Sequence, residues 1–140
     1  MSELIYIDTN VFMDHFDGRV DKLRPLGEFA FQLLKKAVEC KFDIIISTLV
    51  LKELIYNSYK NQIEILLPSL DEKGKIFRAE ITQEDVEKAR KICNERRTHY
   101  NDTLHAVIAN KMRAKYLVTR NIRDFVELQD LVNVVFPENL

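Results

Sequence analysis

The sequence lacks several features that would assign it to a protein class directly. None of its apolar runs approaches the roughly 18 residues that a membrane-spanning helix needs, and the N-terminus shows no signal-peptide pattern. The nucleophilic-serine motif G-x-S-x-G, the P-loop and the dinucleotide-binding motif G-x-G-x-x-G are absent. Internal repeats, linkers and low-complexity segments are absent as well. We therefore expect a cytoplasmic protein that forms one domain over residues 1–140.

Cysteine is scarce, which limits what the thiols can do. Cys40 and Cys93 lie at the ends of separate helical patterns, and neither belongs to a C-x-x-C pair or a His-rich cluster of the kind that binds zinc. The sequence therefore predicts two reduced thiols in the core.

Charge is nearly balanced over the whole chain, with a formal net charge of −1. The balance hides one basic segment, residues 88–123, which contains ten Lys and Arg residues against two acids and so carries a net charge of +8. A basic segment in a neutral protein suits a polyanion such as nucleic acid. It is equally compatible with helix faces that are merely solvated, so charge alone leaves both interpretations open.

Hydrophobic patterning predicts strands that alternate with helices. Leu4–Ile7 is uncharged and rich in β-branched residues, which is typical of a central strand buried on both faces of a parallel sheet. Alternation of this kind favours a parallel sheet of four or five strands with helices on both faces. The predicted strands are 4–8, 43–47, 76–80, 115–119 and 133–136, and the predicted helices are 10–18, 25–40, 48–56, 82–97 and 101–113.

Local signals mark where some of these elements begin or break. Ser47 can cap the helix that follows it, and Thr82 with Asp85 matches a variant of the capping box. Pro68 interrupts the apolar spacing of Ile63–Leu70, so a short or kinked helix is expected there.

Four acids occur close to the predicted carboxyl ends of strands. Asp8 ends the first strand, Glu53 lies in the helix after the second, Asp102 opens the helix before strand 115–119, and Asp124 follows that strand. Ligands of open α/β sheets bind in the crevice outside the carboxyl ends of the strands. Asp8 taken alone is equally well explained as a helix N-cap. The four acids together predict one shared site.

Carboxylates that converge in this way repel one another and raise each other's pKa values. A hard divalent cation reverses the effect, and Mg²⁺ and Mn²⁺ take oxygen ligands while keeping several waters. Such a metal activates water and holds a phosphate oxygen. Oxygen ligands beside a basic segment therefore predict the hydrolysis of phosphodiester bonds.

His105 follows Asp102 by three residues and so can share its helix face. One interpretation makes it a substrate contact or a proton carrier. The other makes it a partly buried polar residue at the rim of the crevice, and we favour this second interpretation.

The residues around the four acids resemble the PIN domain family, and within it the VapC-type toxins of prokaryotic toxin–antitoxin pairs. The resemblance implies a three-layer α/β/α sandwich with a central parallel sheet of four to five strands, dependence on Mg²⁺ or Mn²⁺, and endoribonuclease activity. It also implies frequent homodimers and a small antitoxin partner. The matching segments are Ile7–Asn10, Leu51–Leu54, Asn101–Ala109 and Leu117–Phe125.

The resemblance also implies roles for individual acids. Asp8, Glu53 and Asp102 match the three central acids of the family. The fourth position lies between Asn121 and Asp124, and we favour Asp124 because it is charged. We expect Asp8 and Asp102 to ligate the metal directly, with Glu53 and Asp124 as further ligands or acting through bound water.

Other residues are expected to support the site or bind its partners. Hydrogen-bonding support is expected from Asn10, Thr119 and Asn121. Contacts to the RNA backbone are expected from Arg96, Arg97, Arg120 and Arg123. The apolar helix surface around Ile63–Leu70 is expected to meet a second copy of the chain or an antitoxin helix.

Three other functions are alternatives to a toxin ribonuclease. An RNA-processing enzyme or a structure-selective DNA nuclease would use the same site. A phosphatase or receiver also places an Asp after a central strand, but Asn10 stands where such a phosphatase needs a second Asp, and the paired acids of a receiver are missing. An inactive PIN-like binding module is disfavoured by the intact set of acids.

Overall fold

Five parallel strands form the centre of the molecule in the computed structural model, which describes residues 2–140. Their order across the sheet is β3-β2-β1-β4-β5, and every adjacent pair is parallel. The predicted parallel pairing of β1 with both β2 and β4 is confirmed. The strands are β1 (Glu3–Ile7), β2 (Phe42–Ser47), β3 (Ile76–Ala79), β4 (Tyr116–Val118) and β5 (Asn133–Val135).

Helices connect the strands and cover the sheet. None of the helices within residues 2–140 is long and apolar enough to cross a membrane. Two short 3-10 segments, Ile122–Leu128 and Pro137–Asn139, follow β4 and β5. The helices are α1 (Thr9–Asp17), α2 (Leu26–Val38), α3 (Thr48–Tyr56), α4 (Lys60–Glu72), α5 (Gln83–Arg96) and α6 (Tyr100–Lys111).

The strand order creates a switch point beside β1. The connections from β1 to β2 and from β2 to β3 move towards one edge of the sheet, whereas those from β3 to β4 and from β4 to β5 move towards the other. Because such crossovers are right-handed, α1 to α4 cover one face and α5 and α6 the opposite face. The crevice where the direction reverses, between the carboxyl ends of β1 and β4, is where open α/β sheets bind ligands.

The core is built on β1, whose Ile5, Tyr6 and Ile7 are fully buried. A central strand with no exposed face carries apolar residues at consecutive positions, which is the pattern that predicted it. Ser47 accepts a hydrogen bond from the Val50 N–H and caps α3, as expected. The capping box of Thr82 and Asp85 is also confirmed.

Two local predictions are corrected by the structure. Of the short or kinked helix expected at Pro68, the shortness is wrong, since α4 has 13 residues and continues past Pro68 to Glu72. Burial of Ile63 and Leu70 on either side of the proline stabilises that helix against the loss of one backbone hydrogen bond. Cys40 is exposed rather than in the core, because it follows α2 in a left-handed conformation with φ of 67°.

Gly27 sets how closely α1 and α2 approach each other. A Cβ atom at this position would lie 2.7 Å from the Cα of Gly18 and 2.8 Å from the carbonyl oxygen of Asp14. Both neighbours are backbone atoms of the end of α1, and the Gly27 N–H donates to the carbonyl of Arg19 across the same contact. Only glycine allows this approach without moving one helix away from the other.

Replacement of Gly27 by Ala should therefore destabilise the protein, by about 1–3 kcal/mol, which is the usual effect of overpacking. The direction is opposite to the helix propensity of Ala, which is better than that of Gly. Thermal unfolding measures the effect, with Gln32→Ala on the exposed side of α2 as the matched control. A Gly27→Ala protein as stable as the control would show that the two helices separate at no cost.

Candidate metal centre

Asp8 lies at the end of β1 with both carboxylate oxygens engaged. Its backbone is extended (φ −68°, ψ 153°), and Oδ1 accepts from the Thr9 N–H at 2.7 Å, so the residue is the N-cap of α1. Oδ2 accepts from the Thr119 hydroxyl at 2.7 Å. Only 7% of the residue is exposed. Asp8 is therefore both a helix cap and a buried carboxylate held in one orientation at the switch point.

The predicted supporting residues surround the carboxylate of Asp8. Thr119 Oγ1 accepts from Asn10 Nδ2 at 3.2 Å and from the Asn121 N–H at 3.1 Å while its own proton goes to Asp8. Asn10 Oδ1 in turn accepts from the Arg120 N–H. Asn121 contributes only its backbone here, and the residue is exposed. The loop after β4 is thus fastened to the start of α1.

Glu53 reaches the same place from the middle of α3. Its Oε1 accepts from the Thr9 hydroxyl and from His105 Nε2, each at 2.7 Å. Burial opposes ionisation of the half-buried side chain, but the hydrogen bonds from His105 and Thr9 outweigh it and hold the pKa of Glu53 below its usual value. Glu53 is therefore ionised at neutral pH.

His105 lies beneath the crevice rather than at its rim, which corrects the sequence-based interpretation. The residue is 2% exposed, and its Nδ1 is 2.6 Å from the hydroxyl of Tyr6. Its Nε2 is also 3.5 Å from Asp8 Oδ1. Burial lowers the pKa of His105, but the negative charges of Asp8 and Glu53 outweigh burial and raise it.

Asp102 faces the same group of acids from the first turn of α6. Burial, together with the negative charges of Asp8 and Asp124, raises the pKa of Asp102 to about 6. Asp124 lies in the 3-10 segment after β4 and is exposed. All four acids named from the sequence thus lie at the carboxyl edge of the sheet, with Asp8 the most buried of them.

The donor atoms suit a divalent cation. Oxygen atoms of Asp8 and Glu53 and a ring nitrogen of His105 lie within 4.8 Å of one another. The residue closest to Asp8 and Glu53 is thus His105, whereas the sequence-based prediction grouped Asp102 and Asp124 with them. Burial and the neighbouring charges of Asp8 and Asp124 raise the pKa of Asp102, which marks a negative potential that a cation would offset. Asp8, Glu53 and Asp102 are the residues that would hold it.

The structure corrects the prediction that Arg120 binds RNA. Its side chain is only 11% exposed and pairs with Glu138 at 2.8 Å and with Asp14 at 3.6 Å. Its guanidinium carbon also lies 5.8 Å from the ring centre of Phe29 and 5.5 Å from that of Phe136. Arg120 is therefore a mostly enclosed residue that ties α1, α2 and the C-terminal segment together.

Arg96 pairs within the protein on its surface, and its assignment to RNA stays a prediction. It forms two hydrogen bonds to the carboxylate of Asp130, at 2.7 and 3.0 Å, and a third to the carbonyl of Glu127. Arg97 and Arg123 are exposed, and no ion pair joins either to an acid within residues 2–140. A phosphate backbone would therefore meet the least competition from the protein at these two.

Sequence reasoning missed three residues that build the site. Thr9 donates to Glu53, and Tyr6 with Ser47 lies behind His105. The signal that could have placed His105 is its position inside Thr103–Ala109, a run that is buried at every residue. A polar ring in such a run needs buried partners for both nitrogens, and a tyrosine in a fully buried strand is an obvious one.

The metal-free protein should gain stability through Asp102 as the pH falls. A pKa of about 6 lies above that of an ordinary carboxyl group, so between roughly pH 4 and 6 the folded chain binds a proton that the unfolded chain does not. This contribution is complete below the ordinary pKa and is lost as the pH rises through about 6. Asp102→Asn removes it, and its melting temperature relative to wild type should increase from pH 4.5 to 7. Thermal unfolding of both proteins in EDTA gives their melting temperatures as a function of pH. A difference in melting temperature that does not change with pH would contradict the raised pKa of Asp102.

Comparison with known proteins identifies the fold and the family. A family model described as the PIN domain matches residues 5–131. No curated protein matches the chain. The solved structures that resemble it include VapBC2 from Rickettsia felis bound to a DNA fragment from their promoter, with a TM-score of 0.65 and 20% identity over 94% of this chain and 98% of that chain.

Two further solved structures show the same likeness. A toxin–antitoxin complex from Klebsiella pneumoniae has a TM-score of 0.62 and 22% identity, over 97% of this chain and 98% of the other. VapBC-1 from nontypeable Haemophilus influenzae has a TM-score of 0.65 and 16% identity, over 96% of this chain and 98% of the other. These likenesses confirm the expected α/β fold. Since the family model also spans most of the sequence, the chain belongs to the PIN domain family.

Proposed function

We propose that the protein is a metal-dependent endoribonuclease that hydrolyses phosphodiester bonds in RNA and serves as the toxin of a toxin–antitoxin pair in the cytoplasm. The observation that carries the proposal is the convergence of Asp8, Glu53 and Asp102, with Asp124 beside them, from four segments onto the switch point of the sheet. Like charges at that density are unfavourable unless a cation binds them.

The chain's own residues prepare the site for Mg²⁺ or Mn²⁺. Thr9 and Thr119 hold the Asp8 carboxylate in one orientation, and Thr9 also holds Glu53. Asp102, with its pKa near 6, is the group whose residual proton a bound cation displaces. When bound, such a metal activates water for attack and stabilises the negative charge that develops on the phosphate.

A cleft beside Glu53 supports a single-stranded substrate. It has a volume of about 440 Å³ and is lined by Lys52, Glu53, Tyr56, Asn57 and Asn101. Tyr56 is 88% exposed and lies one helical turn after Glu53. An exposed aromatic ring stacks on unpaired bases, and amide groups bond to base edges, as in the recognition of single-stranded RNA.

An apolar face formed by α2 and α4 supports a protein partner. Phe31 and Ile65 are 45% and 77% exposed on it, although Ile63 and Leu70 themselves are buried. A groove of about 220 Å³ on this face is lined by Phe31, Leu34, Val38, Leu66 and Leu70. Because the similar structures from R. felis, K. pneumoniae and H. influenzae are described as VapBC or toxin–antitoxin assemblies, we assign this face to an antitoxin, with a homodimer as the other arrangement.

Asp8→Asn should abolish RNA cleavage while the protein stays folded. The substitution keeps the shape of the side chain but removes the charge that lies deepest in the site. Mn²⁺ at about a hundredfold excess over its dissociation constant stabilises a folded protein by about 2.7 kcal/mol, and the variant should show a much smaller shift in melting temperature. The measurements are RNA cleavage and thermal unfolding in the same buffers, with and without Mn²⁺.

Asp43→Asn is the matched control, since Asp43 lies at the opposite, amino-terminal edge of the sheet. Cleavage by a folded Asp8→Asn protein would remove Asp8 from the mechanism, and equal melting shifts would remove it from the metal site. A substrate panel separates the alternatives. Preferred cleavage of branched DNA would favour a structure-selective DNA nuclease, and metal binding without cleavage of any substrate would favour an inactive binding module.

Arg123→Ala should weaken RNA binding to the same extent for different sequences. Arg123 is exposed beside Asp124 and forms no ion pair within residues 2–140, so we expect it to contact a phosphate. Its loss should reduce the slope of log affinity against log salt by about 0.7, the value for one phosphate of a single strand. Fluorescence anisotropy on the Asp8→Asn background measures binding without cleavage.

Arg113→Ala is the control, because this exposed arginine follows the far end of α6. A change in cleavage preference with an unchanged salt slope would instead make Arg123 a base contact. The same series with Arg97→Ala tests the second exposed arginine.

A further inference from the structure

A chain of buried hydrogen bonds runs from the interior of the sheet to the carboxylate of Glu53. Ser47 Oγ lies 2.7 Å from the hydroxyl of Tyr6, and that hydroxyl lies 2.6 Å from His105 Nδ1. His105 Nε2 lies 2.7 Å from Glu53 Oε1. The three residues behind Glu53 are at most 2% exposed, so water does not compete with these bonds.

The donors in this chain of hydrogen bonds are ordered so that the last of them donates to Glu53. Ser47 Oγ already accepts from the Val50 N–H at 3.1 Å, so its own proton is free to go to the Tyr6 hydroxyl. Tyr6 then donates to Nδ1 of a neutral His105, whose Nε2–H donates to Glu53. A protonated imidazole would also donate from Nε2. The hydrogen bond to Glu53 is therefore the same in both charge states.

The two ends of this chain of hydrogen bonds are the N-cap of α3 and a residue within α3, so the hydrogen bonds hold that helix in place. Ser47 is the N-cap of α3 and Glu53 is six residues further on, whereas Tyr6 belongs to β1 and His105 to α6. The chain thus fixes α3 against a strand and a helix from the other side of the crevice. It also fixes the rotation of the Glu53 carboxylate, because Oε1 accepts from both His105 and Thr9.

The other oxygen of Glu53 is left free by this arrangement. No hydrogen bond or ion pair within residues 2–140 uses Oε2. A carboxylate with one oxygen that accepts two hydrogen bonds and another that accepts none is prepared for one more ligand, and the oxygen of Asp8 within 4.8 Å favours a cation as that ligand.

We propose that His105, backed by Tyr6, is a positioning residue that presents Oε2 of Glu53 to the metal. The proposal rests on the metal-dependent function proposed above and adds a residue outside the acid set. His105 acts through Glu53 and touches neither the metal nor the RNA. Partners of this kind typically change metal affinity by about 10–100-fold.

Two amide substitutions test the contacts of the two imidazole nitrogens separately. The amide nitrogen of Gln reaches the place of Nε2, so His105→Gln keeps a donor to Glu53 and loses the contact to Tyr6. The amide of Asn reaches the place of Nδ1, so His105→Asn does the reverse. We expect Mn²⁺ affinity within about threefold of wild type for His105→Gln and at least about tenfold weaker for His105→Asn.

Mn²⁺ affinity is measured by isothermal titration calorimetry without RNA, and kcat and KM for RNA cleavage are measured alongside. The positioning role predicts that kcat falls with the Mn²⁺ affinity at limiting metal and recovers at high Mn²⁺, while KM for RNA is unchanged. Equal affinities for the Gln and Asn variants would overturn the proposal. An electron spin-echo signal from an imidazole nitrogen bound directly to Mn²⁺ would also overturn the proposal. A wild-type protein that binds no Mn²⁺ would instead refute the proposed function.

Tyr6→Phe provides a second test that removes one hydroxyl and keeps the buried ring. His105 then loses its partner at Nδ1, and Mn²⁺ affinity should fall by about threefold or more, less than in His105→Asn. Tyr59→Phe is the matched control, because its hydroxyl pairs with Asp17 and Arg19 on an exposed surface. Unchanged Mn²⁺ affinity in a folded Tyr6→Phe protein would overturn the proposal even if both His105 variants failed to fold.

Discussion

Repulsion among carboxylates at the switch point of the sheet is the constraint around which the site is built. Asp8, Glu53 and Asp102 are brought there by three different segments, and burial together with the negative charges of Asp8 and Asp124 raises the pKa of Asp102 to about 6. Neutral donors relieve part of the repulsion, since Thr9, Thr119 and His105 each donate to an acid. The remainder is what a divalent cation would offset. The residues that orient the acids are thus as much a part of the centre as the acids themselves.

The loop after β4 connects this site to the stability of the whole fold. Thr119 holds Asp8, and the next residue, Arg120, is enclosed by Phe29 and Phe136 and paired with Asp14 and Glu138. A buried arginine that lost its acidic partners would be strongly destabilising, so this loop has little freedom to move. Within the basic segment 88–123, Arg96 and Arg120 pair with acids of the chain, whereas no ion pair within residues 2–140 uses Arg97 or Arg123.

The fold and the site support different conclusions. Identities of 16–22% to toxin–antitoxin structures show a shared architecture, and many chemistries can occur on one architecture. The nuclease proposal depends instead on the acids, on the two exposed arginines and on the cleft that contains Tyr56. The toxin proposal depends on the apolar face of α2 and α4. These two parts of the function can be tested separately, because they lie on different surfaces.

The sequence by itself determined the strands, their parallel order around β1 and the acids at its carboxyl end. Each of these depends on local patterning: an uncharged β-branched run, helical periods between strands, an acid directly after β1, and further acids in the segments that flank other strands. It also marked the capping box of α5 and the cap of α3. Only the tertiary structure decided which arginines pair with acids of the chain, that α4 continues through Pro68, and that His105 lies beneath Glu53. These outcomes depend on neighbours distant in the chain, such as Tyr6 for His105 and Glu138 for Arg120, and the properties of a single segment do not specify them.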